Sequence, residues 1–223
     1  MPSADPDVDR WLSGLKQFSR WDSLGGSATQ VSSRAAEDFF ESVTKKYLPR
    51  AWPEKLSTQE RMDFAILPRE GKDAIIRAGT GPTGRHPTER RLKTWQSSEA
   101  NTDHIEIVFV QVKSGSNGFT LNDTFPPPFE DMVYAFFNYG AKEVYVTTSS
   151  YMASAWQTEP PIADRYLRSD AAEKGFDETL REIWRGTPVG TAARPTYRIE
   201  ARYAKSEPPG DVFASLLRRA KVL

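Results

Sequence analysis

The sequence predicts an α/β protein in which helices flank a central mixed β-sheet. Apolar residues follow helical spacing in some segments and strand-like spacing in others, in the order helix, three strands, helix and strand. Residues 105–110 are apolar apart from Glu106, which is typical of a strand buried in a sheet. The 223 residues, 38% of them hydrophobic, are enough for one large domain, and we expect a single domain over 1–223.

The composition excludes several classes of chemistry. The chain contains no cysteine, which rules out disulfides, zinc–cysteine sites, iron–sulfur clusters and thiol catalysis, and fits a cytoplasmic location. No apolar run reaches the roughly 18 residues of a membrane span, and the polar, acidic start is unlike a signal peptide. The 30 basic and 30 acidic residues balance, so any nucleic-acid binding must come from local basic patches.

An N-terminal helical extension is expected over residues 1–30. Within it, residues 7–21 carry apolar side chains at helical spacing, so this helix should pack on the body of the domain or on a second subunit. Residues 23–30 are rich in Gly and Ser, which predicts a loop. A second helix is predicted over about 32–48, where a serine at the start is a suitable cap.

The remaining elements follow from the same patterns. The segment 79–103 contains Gly, Pro and many basic residues, which predicts a basic insertion loop, and 150–223 is expected to be a C-terminal elaboration. The predicted elements are strands over 62–67, 73–78 and 104–113, a helix over 129–139 capped by Gly140, a strand over 142–148, a mostly helical stretch over 159–185, a strand over 196–203 and a basic amphipathic helix over 212–222.

The end of the strand 104–113 carries the most informative residues. Gln111 and Lys113 are two positions apart, so their side chains share one face of the strand. An unpaired charge in a sheet core is costly, so the lysine needs a partner there. A lysine beside an oxygen ligand at a strand end is the combination that a metal-dependent phosphodiesterase requires.

Two further segments accompany this strand end: a helix with acidic residues, Ala35 to Glu41, and a strand that begins around Asp63. Together the three segments resemble the PD-(D/E)XK nuclease superfamily, which includes restriction endonucleases, Mrr-like enzymes and Holliday-junction resolvases. In that superfamily a helix acid, a strand Asp and an acid-X-Lys on the next strand meet at one point. The resemblance covers about residues 33–148 and implies a restriction-endonuclease-like core.

The resemblance assigns a role to four residues. Glu37 matches the helix acid, Asp63 the motif Asp, Gln111 the second acid position and Lys113 the motif Lys. The implied cofactor is Mg²⁺, for which Mn²⁺ can substitute, with Asp63, Gln111 and Glu37 as the metal-binding residues. Such a hard cation takes oxygen ligands, activates water and stabilises the charge of the cleaved phosphate. Lys113 would hold the water or the phosphate as a point charge.

The pattern departs from the family in two places, and both leave alternatives. Gln111 stands where most members carry an acid, although Mrr-like members carry Gln, and the missing charge predicts weaker metal binding. A long segment also separates Asp63 from Gln111, so Asp73 or Glu106 is an alternative ligand. Glu106 is the weaker candidate because it faces the other side of the strand. On the helix, Glu41 shares a face with Glu37 and is an alternative to it.

The basic segment is the candidate surface for DNA. Arg85, Arg90, Arg91 and Lys93 lie close together in the sequence, with Trp95 beside them, and such a segment suits contacts to phosphates and guanine edges. A solvated charged loop is the alternative. The Gly-rich stretch 79–84 matches a dinucleotide-binding pattern, but no apolar helix follows it in the sequence.

These observations predict a Mg²⁺-dependent endodeoxyribonuclease, of a restriction or related defence type, that cuts double-stranded DNA. A homodimer is expected because cleavage of both strands of a palindrome needs two sites related by a two-fold axis. Two alternatives belong to other classes. One is a nuclease-fold protein that binds nucleic acid with a weak or inactive site, which the amide at 111 favours. The other is a structural or interaction subunit, which the zero net charge and the many aromatic residues favour.

Overall fold

The computed structural model describes residues 5–24, 29–57, 62–82, 84–116, 118–122, 132–151, 196–200 and 207–223. The described helices are α1 (Pro6–Leu15), α2 (Thr29–Tyr47), α3 (Lys72–Gly79), α4 (Glu89–Gln96) and α5 (Gly210–Arg219), with a 3₁₀ turn at Trp21–Ser23. The described strands are β1 (Ala51–Lys55), β2 (Phe64–Pro68), β3 (Val108–Gly115), β4 (Gly118–Asn122), β5 (Val133–Asn138), β6 (Glu143–Thr148) and β7 (Thr196–Glu200).

A mixed sheet forms the centre of the described structure, with strand order β1-β2-β3-β5-β6. The first three strands form an antiparallel meander, β5 lies parallel to β3, and β6 is antiparallel to β5. Strands β4 and β7 pair in a separate two-stranded antiparallel sheet. The predicted α/β class with a mixed sheet is therefore confirmed. No described helix is long and apolar enough to cross a membrane.

The main core lies between one face of the sheet and the helices α1, α2 and α5. On β3 this face consists of Val108, Val110 and Val112, so the alternate residues of β3 point to the other side. Trp11 of α1 is completely buried, packs edge-to-face on two phenylalanines and donates a hydrogen bond to Thr44 Oγ1 at 3.1 Å. The N-terminal helix thus packs on the body of the protein, which is one of the two predicted options.

The prediction of a strand over 73–78 is wrong, because this segment forms helix α3. Only Ile75 and Gly79 of α3 are buried, and residues four apart share one face of a helix. Gly71 sits at the start of α3 with a left-handed φ of 77°, a conformation that glycine adopts without steric cost. The segment is too short for periodicity to separate a helix from a strand.

The prediction of a helix over 129–139 is also wrong, because residues 133–138 form β5. All six residues of β5 are buried, since the strand lies between β3 and β6 and both of its faces are covered. A fully apolar run loses the alternation that marks a strand, although its aromatic and β-branched residues favour one. Gly140 therefore follows a strand instead of capping a helix.

Several boundaries and one strand differ from the predictions. The helix α1 ends at Leu15 rather than at 21, and α2 already begins at Thr29. The segment 79–103 contains helix α4, so it is not a loop throughout. The spacing of apolar residues does not predict β1, whose Pro53 is tolerated because β1 is an edge strand. The predicted helical stretch over 159–185 lies outside the described residues.

Candidate functional site

Asp63 is held by backbone hydrogen bonds directly before β2. Its N–H donates to the carbonyl of Val110 at 2.9 Å, and its carbonyl accepts from the N–H of Leu56 at 3.0 Å. Its carboxylate Oδ2 accepts a further hydrogen bond, of 2.7 Å, from the N–H of Val112. Three bonds to two neighbouring segments thus fix both the backbone and the side chain of Asp63.

Gln111 and Lys113 lie on β3, next to the strand that Asp63 precedes. The antiparallel register pairs Phe64 with Val110, which brings Asp63 alongside Gln111. Gln111 is buried, with 4% of its surface exposed, and Lys113 is half-buried. Because Val110 and Val112 face the main core, Gln111 and Lys113 share the opposite face, as the sequence predicts.

The surroundings of Asp63 raise the pKa of its carboxyl group. Burial raises the pKa of Asp63 from its ordinary value of 3.8 to about 6. The positive charge of Lys113, the hydrogen bond from Val112 and the charge of Lys55 act against this rise, whereas the negative charge of Glu37 adds to it. The helix acid, the strand Asp and the strand Lys therefore lie close enough to influence one another.

Helix α2 supplies the second carboxylate of this group through Glu37. The Glu37 side chain is 23% exposed, and its Oε2 lies 3.9 Å from Lys55 Nζ at the end of β1. Glu41, the alternative one turn further along α2, is engaged in an ion pair of 2.6 Å with Lys45. Of the two acids, Glu37 is the one whose charge acts on Asp63.

The other two alternative ligands lie elsewhere. Asp73 is on α3, its side chain is 72% exposed, and its carboxylate pairs with Lys72 at 2.8 Å, which lowers its pKa. Glu106 precedes β3 and pairs with Arg219 of α5 at 3.1 Å. Neither carboxylate is among the charges that act on Asp63.

Lys55 is the member of this group that sequence reasoning misses. It ends β1 opposite Phe64, and its Nζ lies 3.3 Å from Asp38 Oδ1 as well as 3.9 Å from Glu37 Oε2. The available signal is weak, because Lys55 is recognised as a neighbour of Asp63 only once residues 51–55 are known to be a strand paired with β2. Pro53 argues against such a strand in the sequence.

The basic segment contacts the connection that precedes Asp63 at one point and the body of the protein at another. The N–H of Ser57 donates to the carbonyl of Pro87 at 3.1 Å, which ties the segment to the connection between β1 and Asp63. Lys93 instead forms an ion pair of 3.1 Å with Glu89, and its Nζ lies 5.6 Å above the ring of Phe109. The other three predicted DNA-binding residues, Arg85, Arg90 and Arg91, are exposed.

The donor set matches a hard cation only in part. Among the described residues, no three His, Cys, Asp or Glu side chains form a group that would hold a metal ion. The negative charge of Glu37 does act on Asp63, and neighbouring like charges favour a proton or a shared cation. Two carboxylates would suit Mg²⁺, which normally keeps several water ligands, and the amide oxygen of Gln111 is a ligand of a type that this cation also accepts.

Comparison of the chain with protein-family models, with curated proteins and with solved structures finds no match in any of the three. A functional assignment therefore rests on the geometry of the site. The structure is that of an α/β protein in which a buried carboxyl group, an amide and a lysine lie on the inner strands of a mixed sheet or directly before them, with a second acid on helix α2.

Proposed function

We propose that the protein is a Mg²⁺-dependent DNA endonuclease with a restriction-endonuclease-like core, of a restriction or related defence type. The observation that carries this proposal is the position of Asp63. Its pKa is raised to about 6 by burial, and the charges of Lys113 and Glu37 act on it. A buried, perturbed carboxyl group beside a lysine is typical of sites that bind metals or transfer protons.

The arrangement of the elements supports the same proposal. The acid Glu37 comes from the helix that precedes the sheet, Asp63 lies directly before β2, and Gln111 and Lys113 lie on the adjacent strand β3. This is the order of residues that the resemblance to the PD-(D/E)XK superfamily implies. Pairing of the adjacent antiparallel strands β2 and β3 brings Asp63 beside Gln111, although a long segment separates them in the sequence.

Each residue has a task in hydrolysis of a phosphodiester bond. Asp63, Glu37 and the amide oxygen of Gln111 would hold Mg²⁺, or Mn²⁺ in its place, and the cation supplies Lewis acidity and a more acidic water. The Val112 N–H keeps the Asp63 carboxylate oriented through its 2.7 Å hydrogen bond. Lys113 would bind a non-bridging phosphate oxygen and offset the charge that develops on the phosphate.

The substrate in this proposal is double-stranded DNA. Three exposed arginines lie near Pro87 in the sequence, Arg85 before it and Arg90 and Arg91 after it. The carbonyl of Pro87 accepts a hydrogen bond from the connection that precedes Asp63. Arginines so placed are suited to hold the phosphate backbone next to the cleaved bond. A homodimer would present two such sites to the two strands, and this dimer is part of the proposal.

A plasmid cleavage assay tests the proposal directly. Supercoiled plasmid, methylated DNA and phage DNA are incubated with the protein in Mg²⁺ or Mn²⁺, and nicked and linear products are separated on a gel. We expect cleavage by the wild type and a loss of at least about 100-fold for Asp63→Asn, which removes a ligand of the cation, and for Lys113→Ala, which removes a positive charge at the reacting phosphate.

The control variants are Asp73→Asn, which removes a negative charge, and Lys45→Gln, which removes a positive charge. Neither residue is among the charges that act on Asp63. Both should cleave as the wild type does. Absence of cleavage on all substrates, or equal cleavage by the site variants, would show that the assignment is incorrect.

One observation favours a second candidate, a nuclease-fold protein that binds nucleic acid without cutting it. Gln111 is neutral and buried, so the site has one negative charge fewer than an acid at this position would give. A gel shift in Ca²⁺ measures DNA binding apart from cleavage, because Ca²⁺ seldom supports phosphodiester cleavage, and both candidates should shift the DNA. Binding without cleavage under Mg²⁺ and Mn²⁺ would favour this second candidate.

A further inference from the structure

Lys55 places a cation where the acids of the proposed metal site converge. Its Nζ lies 3.3 Å from Asp38 Oδ1 and 3.9 Å from Glu37 Oε2, and its charge also acts on Asp63. The side chain is 35% exposed and reaches the helix from the edge strand β1. A single ammonium group therefore balances part of the negative charge that α2 and the start of β2 bring together.

A divalent cation bound by Glu37 and Asp63 would meet this ammonium group as a competitor. Glu37 would have to give up its contact with Lys55 in order to ligate the metal, and the two cations would repel each other at close range. Asp38 remains as an alternative partner, because its carboxylate is already the nearer of the two. Lys55 can thus move away from Glu37 without losing every ion pair.

We propose that Lys55 is a built-in counter-ion that competes with the metal for Glu37 and so sets the metal concentration at which the site fills. This inference rests on the proposed function, since it assumes that Glu37 and Asp63 bind a divalent cation. In the metal-free protein Lys55 stabilises the acids. In the metal-bound protein it would leave Glu37, and it could keep its contact with Asp38 or turn towards a bound phosphate.

The chain offers a matched control for Lys55. Lys45 forms an ion pair with Glu41 of α2 at 2.6 Å, and its side chain is 34% exposed, compared with 35% for Lys55. The two lysines therefore have the same charge, similar exposure and a glutamate partner on the same helix. They differ in that only Lys55 acts on Asp63.

Calorimetric titration of the metal-free full chain with Mn²⁺ tests the inference without any measurement of activity. Lys55→Gln should bind Mn²⁺ roughly tenfold more tightly than the wild type, because one competing charge of a partly exposed ion pair is removed. Lys45→Gln and Lys55→Arg should bind as the wild type does, and Asp63→Asn should lose binding. Equal affinities for Lys55→Gln and the wild type would overturn the role of Lys55 while leaving the metal site in place.

The same titration separates this failure from failure of the proposed function. If neither the wild type nor Lys55→Gln binds Mn²⁺, the proposed metal site is refuted. The proposed competition between Lys55 and the metal is then refuted as well. A second measurement does not depend on the folding of a variant. The wild type is labelled with an amine-reactive reagent, and the labelled peptides are measured by mass spectrometry. Labelling should increase at Lys55 when Mn²⁺ is added and stay constant at Lys45. If Mn²⁺ binds but the labelling of Lys55 does not change, the inference is overturned.

Discussion

Replacement of Asp63 by Asn is expected to stabilise the metal-free protein at alkaline pH. Asp63 has its pKa raised from 3.8 to about 6 by burial, so the folded protein disfavours the ionised carboxylate. Each pKa unit corresponds to about 1.4 kcal/mol, so ionised Asp63 lowers the free energy of unfolding by up to about 3 kcal/mol. Asn keeps an oxygen that can accept the Val112 hydrogen bond and avoids this cost.

The pH dependence fixes the sign of the effect. Because the pKa is higher in the folded state than in the unfolded chain, the folded protein binds the proton more tightly between about pH 4 and 6. The contribution of Asp63 to stability is therefore present below this window and is lost as the pH rises through it. The advantage of the Asp63→Asn variant over the wild type should be below about 1 kcal/mol at pH 4 and reach its full value of about 3 kcal/mol near pH 8.

Urea denaturation of the metal-free protein at several pH values measures this difference. The wild type and Asp63→Asn are compared with Asp73→Asn, whose carboxylate is exposed and has its pKa lowered by Lys72. Asp73→Asn should show no gain at alkaline pH. A gain for Asp63→Asn that stays constant with pH, or a loss of stability near pH 8, would refute the explanation from burial of a charge.

Two further predictions concern the neighbouring residue and the core. Gln111→Glu should strengthen Mn²⁺ binding in calorimetric titration, because it adds a carboxylate beside Asp63. The same buried charge should lower the free energy of unfolding of the metal-free protein by about 1–3 kcal/mol. An unchanged affinity for Mn²⁺ would mean that Gln111 is not part of the proposed metal site. Trp11→Ala should lower the free energy of unfolding by about 3–5 kcal/mol in urea denaturation, because Trp11 is completely buried and donates a hydrogen bond to Thr44. Trp11→Phe should lose less. A loss below about 1 kcal/mol for Trp11→Ala would mean that α1 contributes little to the core.

The coarse fold is predictable from local patterns where those patterns are distinctive. The helix α2 shows helical periodicity, and β3 and β6 are marked by apolar, β-branched and aromatic residues. The structure confirms all three elements, although β3 begins at Val108 rather than at 104. The predictions of a strand at α3 and a helix at β5 are wrong because short apolar segments carry no decisive period. Tertiary environment decides there: β5 becomes a strand because two neighbouring strands pair with it.

The proximity of the candidate residues is predictable only in part. The spacing of Gln111 and Lys113 places them on one face of β3, and this depends on nothing beyond the strand itself. The approach of Lys55 depends on pairing between β1 and β2, which the sequence does not reveal because Pro53 interrupts the strand pattern. Local sequence therefore predicts members of the site that share an element, whereas members brought by an edge strand require the three-dimensional structure.

The charge balance of the site gives a physical reason for the amide at position 111. Gln111 is only 4% exposed, so a carboxylate there would lose its hydration beside Asp63. The cations that act on Asp63 in the described residues are Lys113 and Lys55, and two cations do not balance three buried or half-buried acids. With the amide, one acid, Glu37, and two lysines, Lys113 and Lys55, act on Asp63. For the proposed metal site, the same balance predicts weaker binding than an acid at position 111 would give, because both lysines would oppose a divalent cation and only two carboxylates would attract it.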